Sequence, residues 1–158
     1  MPKPLTDHIV YALTNAMELY YRLIFVVGPI GSGKTAILQD LGNRIDDPIL
    51  NVNLELSRRM LDMAEKQRSQ RLPQTLRDIL ANSSGDTAIL DNLEILFDIS
   101  LKQDPLRLLQ GISRNRTVIA SWSGSVEDGH LVYAAPGHPE HKRYEIKDFL
   151  VIDTQASG

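Results

Sequence analysis

The chain has 158 residues, 42% apolar and 23% charged, a balance close to that of soluble globular domains and far from disordered or fibrous composition. That length suits one domain with a core of its own, and no second full domain is expected. A formal net charge of −3 gives no basic field for nucleic acid, so direct nucleic-acid binding is not expected, and the absence of cysteine excludes disulfide frameworks, thiolate zinc sites and cysteine nucleophiles.

The opening MPKPLTDHIVYALTNAMELYYRL sets Asp7, His8 and Glu18 among its apolar residues and has no small-residue cleavage site. It reads as neither signal peptide nor membrane span, and a cytoplasmic location is the expectation. From Thr6 to Arg22 the positions Ile9, Ala12, Leu13, Ala16, Met17 and Tyr20 recur at helical spacing, with Thr6 or Asp7 as N-cap, so residues 1–22 predict an amphipathic N-terminal helix. LIFVV, residues 23–27, is an unbroken apolar run closed by Gly28, the pattern of a strand covered on both faces. A helix follows from about Gly33 to Arg44. ILNVNLEL, residues 49–56, alternates Leu50, Val52 and Leu54 with Asn51, Asn53 and Glu55 and predicts a second strand.

The charged stretch from Arg58 to Arg71 and then PQTLRDILAN predict two helices, with Pro73 in the first turn of the second. TAILDNLEILF, residues 87–97, predicts a buried strand ending in a turn or short helix that carries Leu93, Leu96 and Phe97. DPLRLLQGISRN predicts a helix with Pro105 near its start, and TVIASWSG, residues 117–124, a further strand. LVYAAPGHPEHKRYEI predicts two short strands around a Pro- and Gly-rich loop, DFLVID one more, and TQASG, residues 154–158, a loose end. Strands alternate with helices, which implies an α/β three-layer sandwich around a mostly parallel sheet of about five strands, with ligand at the C-terminal ends of the strands. Residues 1–158 are read as a single domain.

Gly28-Pro29-Ile30-Gly31-Ser32-Gly33-Lys34-Thr35 satisfies G-x-x-x-x-G-K-[ST], the Walker A loop of P-loop NTPases, between a predicted strand and a predicted helix. Glycines let successive backbone N–H groups, through Ala36, turn inward on phosphate oxygens, and the helix that follows adds its N-terminal dipole. Lys34 then reaches the β- and γ-phosphates, and Thr35 places its hydroxyl on the bridging Mg2+. The apolar run AILDN ends in Asp91, the carboxylate expected to hold that metal through a water, and an N-cap role for the turn beyond is the alternative, compatible with it. A water-polarising glutamate is expected directly after such an Asp; here that position is Asn92, and Glu94 and Glu55 are the candidates.

Ser121 or Ser123, at the end of VIASWS, is placed to face the terminal phosphate. Trp122 is read as packing rather than a base-stacking platform. Arg114, Arg116 and Arg143 are the candidate arginine fingers for a neighbouring subunit. His130, His138 and His141 cluster without a standard metal-ligand spacing and are read as structural.

GPIGSGKT, NVNLELS, AILDNLEILF, the strand ending in ASW and the tail YAAPGHPEH together resemble, over nearly the full length, the BrxF family of small P-loop proteins from BREX phage-defence systems. The resemblance implies a bacterial ATPase-like protein that works beside other BREX components. It also implies an additional-strand, AAA+-like core, with the Ser121 strand between those ending at Gly28 and Asp91. Too few residues follow Ile152 for a helical lid, so a core without a lid is expected. The leading functional expectation is a Mg-ATP-binding ATPase switch or assembly factor, completed by homo-oligomerisation or a partner, with ATP or another NTP as its ligand. The alternatives are a small-molecule (nucleoside or nucleotide) kinase and an ATP-binding scaffold with little hydrolysis.

Overall fold

The computed structural model describes residues 5–81 and 85–155. Five parallel strands make the main sheet: β1 (Leu23–Gly28), β2 (Ile49–Asn51), β3 (Thr87–Asp91), β4 (Thr117–Ser123) and, counting ahead, β8 (Leu150–Asp153). They lie in the order β2-β3-β4-β1-β8, so the Ser121 strand does sit between those ending at Gly28 and Asp91.

Central strand β1 is fully buried, and its alternation divides the core. Ile24 and Val26 face helices α1 (Leu5–Ala16) and α2 (Lys34–Ile45), where Ile9, Ala12, Ala16, Leu38 and Leu41 meet them. Leu23, Phe25 and Val27 face the opposite layer of α3 (Val52–Met60), α4 (Glu65–Ala81) and α5 (Pro105–Ser113). A strand apolar at every position is thus buried from both sides, as its composition requires. No helix among the described residues is long and apolar enough to cross a membrane.

Four elements differ from the sequence-based expectation. The N-terminal helix closes at Ala16 rather than Arg22, and beyond it the Arg22 N–H donates to the Ser113 carbonyl (2.9 Å). The strand expected over 49–56 ends at Asn51, because the Asn51 side chain accepts from Leu54 N (3.0 Å) and caps α3. Val52, Leu56 and Met60 are then buried at helical spacing; the alternation that suggested a strand is also a fragment of that stripe.

The two helices expected around Pro73 are one, with Pro73 inside it. Proline removes the N–H that Ser69 O would receive four residues earlier. Gln103 Nε2 donates to that carbonyl instead (2.8 Å), which lets the helix continue. Of the expected loose end, Thr154 N donates to Val27 O (2.8 Å), and residues 156–158 lie outside the described set.

Between β4 and β8 stands a separate antiparallel meander, β5 (Ser125–Glu127), β6 (His130–Tyr133) and β7 (Lys142–Glu145). Trp122 anchors it: the indole N–H donates to Val132 O (3.0 Å), and Phe25, Phe97, Tyr133 and Tyr144 surround the ring edge-on. Trp122 is therefore packing, as its isolation from other aromatics in sequence suggested. The Tyr144 hydroxyl donates to Asp104 Oδ1 (2.9 Å), the N-cap of α5, and ties the meander's far strand to the helical layer.

Candidate nucleotide-binding site

Parallel strands bring their C-terminal ends to one edge, and β1, β2, β3 and β4 deliver Gly28, Asn51, Asp91 and Ser123 there. The loop from Gly28 turns on two glycines in the left-handed region, Gly31 (φ 83) and Gly33 (φ 92), before α2 begins at Lys34. A cleft of about 570 Å³ opens above it, lined by Gly31, Gly33, Lys34, Thr35, Asp91 and Glu94 among others.

Lys34 is buried, and its ammonium donates to the carbonyls of Gly28 (2.9 Å) and Pro29 (2.8 Å). Burial pulls its pKa below the ordinary lysine value, against the opposing pull of Asp91 and Glu94. Thr35 Oγ1 donates to Asp91 Oδ2 (2.6 Å), and Ser121 Oγ to Asp91 Oδ1 (2.6 Å). Both oxygens of a nearly inaccessible carboxylate are thereby satisfied and its direction fixed. Asp91 caps no helix: the turn after it has no side-chain cap at its N-cap residue, Leu93.

Beyond Asp91 the chain reverses through Asn92 in the left-handed region (φ 55), and the 3-10 turn Glu94–Phe97 starts with its first side chain in the cleft. Ser123 Oγ donates to Glu94 Oε1 (3.0 Å) and Asn53 Nδ2 to Glu94 Oε2 (3.3 Å). Asn53 also bridges the backbone, accepting from Ile95 N (2.7 Å) through its amide oxygen and donating its own N–H to Asn92 O (3.0 Å). Phe97 stacks on Tyr133 at 3.6 Å, so the same turn rests on the meander. Burial first, then the Glu140 and Glu94 charges, push the Tyr133 phenol up to about 12, and it stays neutral.

Glu55 stands elsewhere, in the first turn of α3, 3.5 Å from Arg58 and outside the cleft lining. Of the two serines, Ser121 lies beneath Asp91, while Ser123, two residues on along the same strand face, reaches the cleft. Arg114 lies over the Tyr20 ring (4.7 Å), and Arg116 donates to the carbonyls of Leu80 and Gly85 (both 2.8 Å). Both precede β4, at the edge of the sheet opposite the cleft; Arg143 is on the meander. The rings of His130, His138 and His141 are each engaged by local backbone, and no group of acidic, histidine or cysteine side chains fit for a metal occurs among the described residues.

Sequence reasoning missed Asn53, because a strand assignment gave it no partner. The signal that finds it is Asn51 as helix cap, which puts Asn53 in the first turn beside the end of β3.

Among solved structures the chain is similar to AMPPCP-bound DnaA from Aquifex aeolicus, with 16% identity over 94% of this chain and 44% of that one (TM-score 0.52). It is also similar to PCH-2 from C. elegans, with 13% identity over 95% of this chain and 41% of that one (TM-score 0.50). With these structures it shares the fold, a mostly parallel five-stranded sheet with helices on both faces. The chain spans less than half the length of these structures. No family model and no curated protein matches it.

Proposed function

We propose that the chain is a Mg-ATP-binding ATPase that works as a nucleotide-driven switch, a single nucleotide-binding domain throughout. The observation that carries this reading is the joint placement of Lys34, Thr35 and Asp91 at one end of a loop that turns on two glycines in the left-handed region. Ser32 Oγ, within that loop, is buried against Gly28 without a hydrogen-bond partner among the described residues, an unmet polar group within the glycine loop. The Thr35 hydroxyl and Asp91 carboxylate are hard oxygen donors of the kind Mg2+ takes, so the residues fit a Mg-nucleotide. When bound, the metal supplies charge neutralisation between the β- and γ-phosphates.

In this reading Lys34 exchanges its two carbonyl partners for phosphate oxygens, and its partly desolvated charge acts at short range where water screens little. Asp91 and Thr35 hold the metal side. Glu94 polarises the attacking water, oriented through both carboxylate oxygens by Ser123 and Asn53. That orientation favours hydrolysis over a purely scaffolding role: the displacement of the glutamate by Asn92 is compensated by the backbone reversal there. The motifs resembling the BrxF family support a place beside other BREX proteins in bacterial anti-phage defence, with self-association or a partner completing the site.

The test is Mg-ATP binding by calorimetry together with phosphate release, for the wild type and Lys34→Ala. The expected result is saturable binding and a turnover that Lys34→Ala abolishes. Absence of binding, alone and in the presence of candidate partners, overturns the reading.

A further inference from the structure

Alternation gives the meander two unlike faces. Val126, Leu131, Tyr133 and Tyr144 turn to the Trp122 cluster. The intervening positions, Ser125 and Glu127, Val132 and Ala134, His141 and Arg143, line a second cavity of about 720 Å³. Its other wall is Pro29 and Ile30 of the phosphate loop with Ser123, and Ile30 and Ser123 line both cavities. The second cavity is therefore contiguous with the Lys34, Asp91 and Glu94 end of the nucleotide cleft, and its size suits a small-molecule ligand.

Register sets Ser125, Val132 and Arg143 in one row across the three strands. Arg143 is exposed and has no ion-pair partner among the described residues, although Glu127 lines the same cavity. The Glu127 carboxylate is engaged by Ser125 Oγ (2.6 Å), and the His141 ring is anchored through Nδ1 on Ala134 O (3.0 Å). Arg143 is thus the cation of the cavity without an ion-pair partner among the described residues, and Ile30, 86% exposed, its largest uncovered apolar surface.

We propose that this cavity is a second ligand site that takes a carboxylate-bearing ligand with a small apolar body. The carboxylate pairs with the Arg143 guanidinium, and the body lies against Ile30, Val132 and Pro136. Glu127 in the same lining repels a phosphate dianion more than a monoanion, which favours the carboxylate. Ser123, on the shared wall, donates to Glu94, so an occupant that shifts Ser123 alters the hold on Glu94 and with it turnover. This coupling rests on the Mg-ATP reading above; the carboxylate site itself does not.

The same chemistry is offered by a free carboxylic acid and by the C-terminus of a peptide. The experiment titrates the full nucleotide-free chain with benzoate, and separately with N-acetyl-Ala-Leu as free acid and as amide, following backbone amide NMR shifts. Saturable shifts at Ile30, Ser123, Val132 and Arg143 are expected, absent with benzyl alcohol and with the amide. Arg143→Ala weakens them about tenfold or more, and Arg143→Lys restores part of the affinity. Tighter binding of the dipeptide than of benzoate assigns the site to a protein terminus, and the reverse to a free acid. No saturable binding of either acid, equal binding of the amide, or indifference to Arg143→Ala in a folded variant overturns the proposal. Lys34→Ala separates the two readings: it loses Mg-ATP and keeps benzoate. Wild-type protein that binds benzoate but not Mg-ATP sinks the nucleotide reading alone, and the converse sinks this one alone.

Discussion

The proposed role of Glu94 as the water-polarising residue rests on local geometry, since it stands two residues beyond the position directly after Asp91. Asn92 tolerates a positive φ better than most residues, and the chain beyond it brings Glu94 into the cleft beside Asn92, where Ser123 and Asn53 each hold one oxygen. Glu94→Gln keeps the shape and can accept from Asn53 while its amide N–H turns to Ser123 Oγ, but it loses the basicity. Turnover is expected to fall about 10²- to 10³-fold with Mg-ATP affinity little changed, read from steady-state phosphate release and calorimetry. Glu55→Gln removes only a contact with Arg58, so turnover stays close to wild type; a large loss there would reassign the base. Lys34 adds a pH signature. Burial sets its pKa in the free protein below 10.5, and the nucleotide binds the charged form, which raises it again. Affinity is therefore full below that lowered value and falls as pH rises through it, a slope that Lys34→Met lacks. Stability of the free fold runs the other way, since losing the buried charge relieves its desolvation between the lowered value and 10.5.

The elements around the site were legible in the sequence to different degrees, for physical reasons. Strands β1, β3 and β4 are plain in sequence because each carries an apolar run, and the phosphate loop because its glycines and lysine stand at fixed spacing. Residues 49–56 were not, because Val52 and Leu54 alternate as in a strand while Val52, Leu56 and Met60 form a helical stripe, and only the cap at Asn51 separates the two. Helix α4 was split for a similar reason: Pro73 is a stop signal unless a distant side chain takes up the freed carbonyl, and Gln103 is 34 residues from Ser69. That compensation predicts a coupling. Gln103→Ala in the wild type leaves the Ser69 carbonyl short of a partner and costs about 1 kcal/mol in urea unfolding. In a Pro73→Ala background the restored helical N–H serves that carbonyl, and the same change costs less; equal costs in the two backgrounds would disprove the compensation. Gly124 marks a third place where tertiary context decides: a Cβ there meets Val132 O at 2.0 Å and the Trp122 indole nitrogen at 2.8 Å. Neither can yield without breaking the bond that anchors the meander. Gly124→Ala is expected to destabilise by about 1–3 kcal/mol in the same assay and to free the Trp122 environment, seen by fluorescence.

At the scale of the molecule the cleft is a junction rather than a surface feature. Its groups come from the loop before α2, the end of β3, the end of β4 and the first turn of α3, and Asn53 joins the last of these to the turn after β3. A ligand held there bridges both layers of the sandwich, because α2 packs on one face of the sheet and α3 on the other. Its binding free energy therefore adds to the global unfolding transition instead of tightening one loop. With Mg-ATP at about 100 times its dissociation constant the linkage contributes roughly 2.7 kcal/mol. For a domain of this size that moves the melting temperature by about 5–10 °C. The shift is expected to appear together in far-UV circular dichroism, which reads the helices of both layers, and in Trp122 fluorescence, which reads the meander side of the core. Lys34→Ala should melt close to the nucleotide-free wild type and show no shift. A nucleotide-induced change confined to one probe would mean that the phosphate loop orders locally, and that the two layers are not coupled through Asp91, Glu94 and Asn53 as their hydrogen bonds indicate.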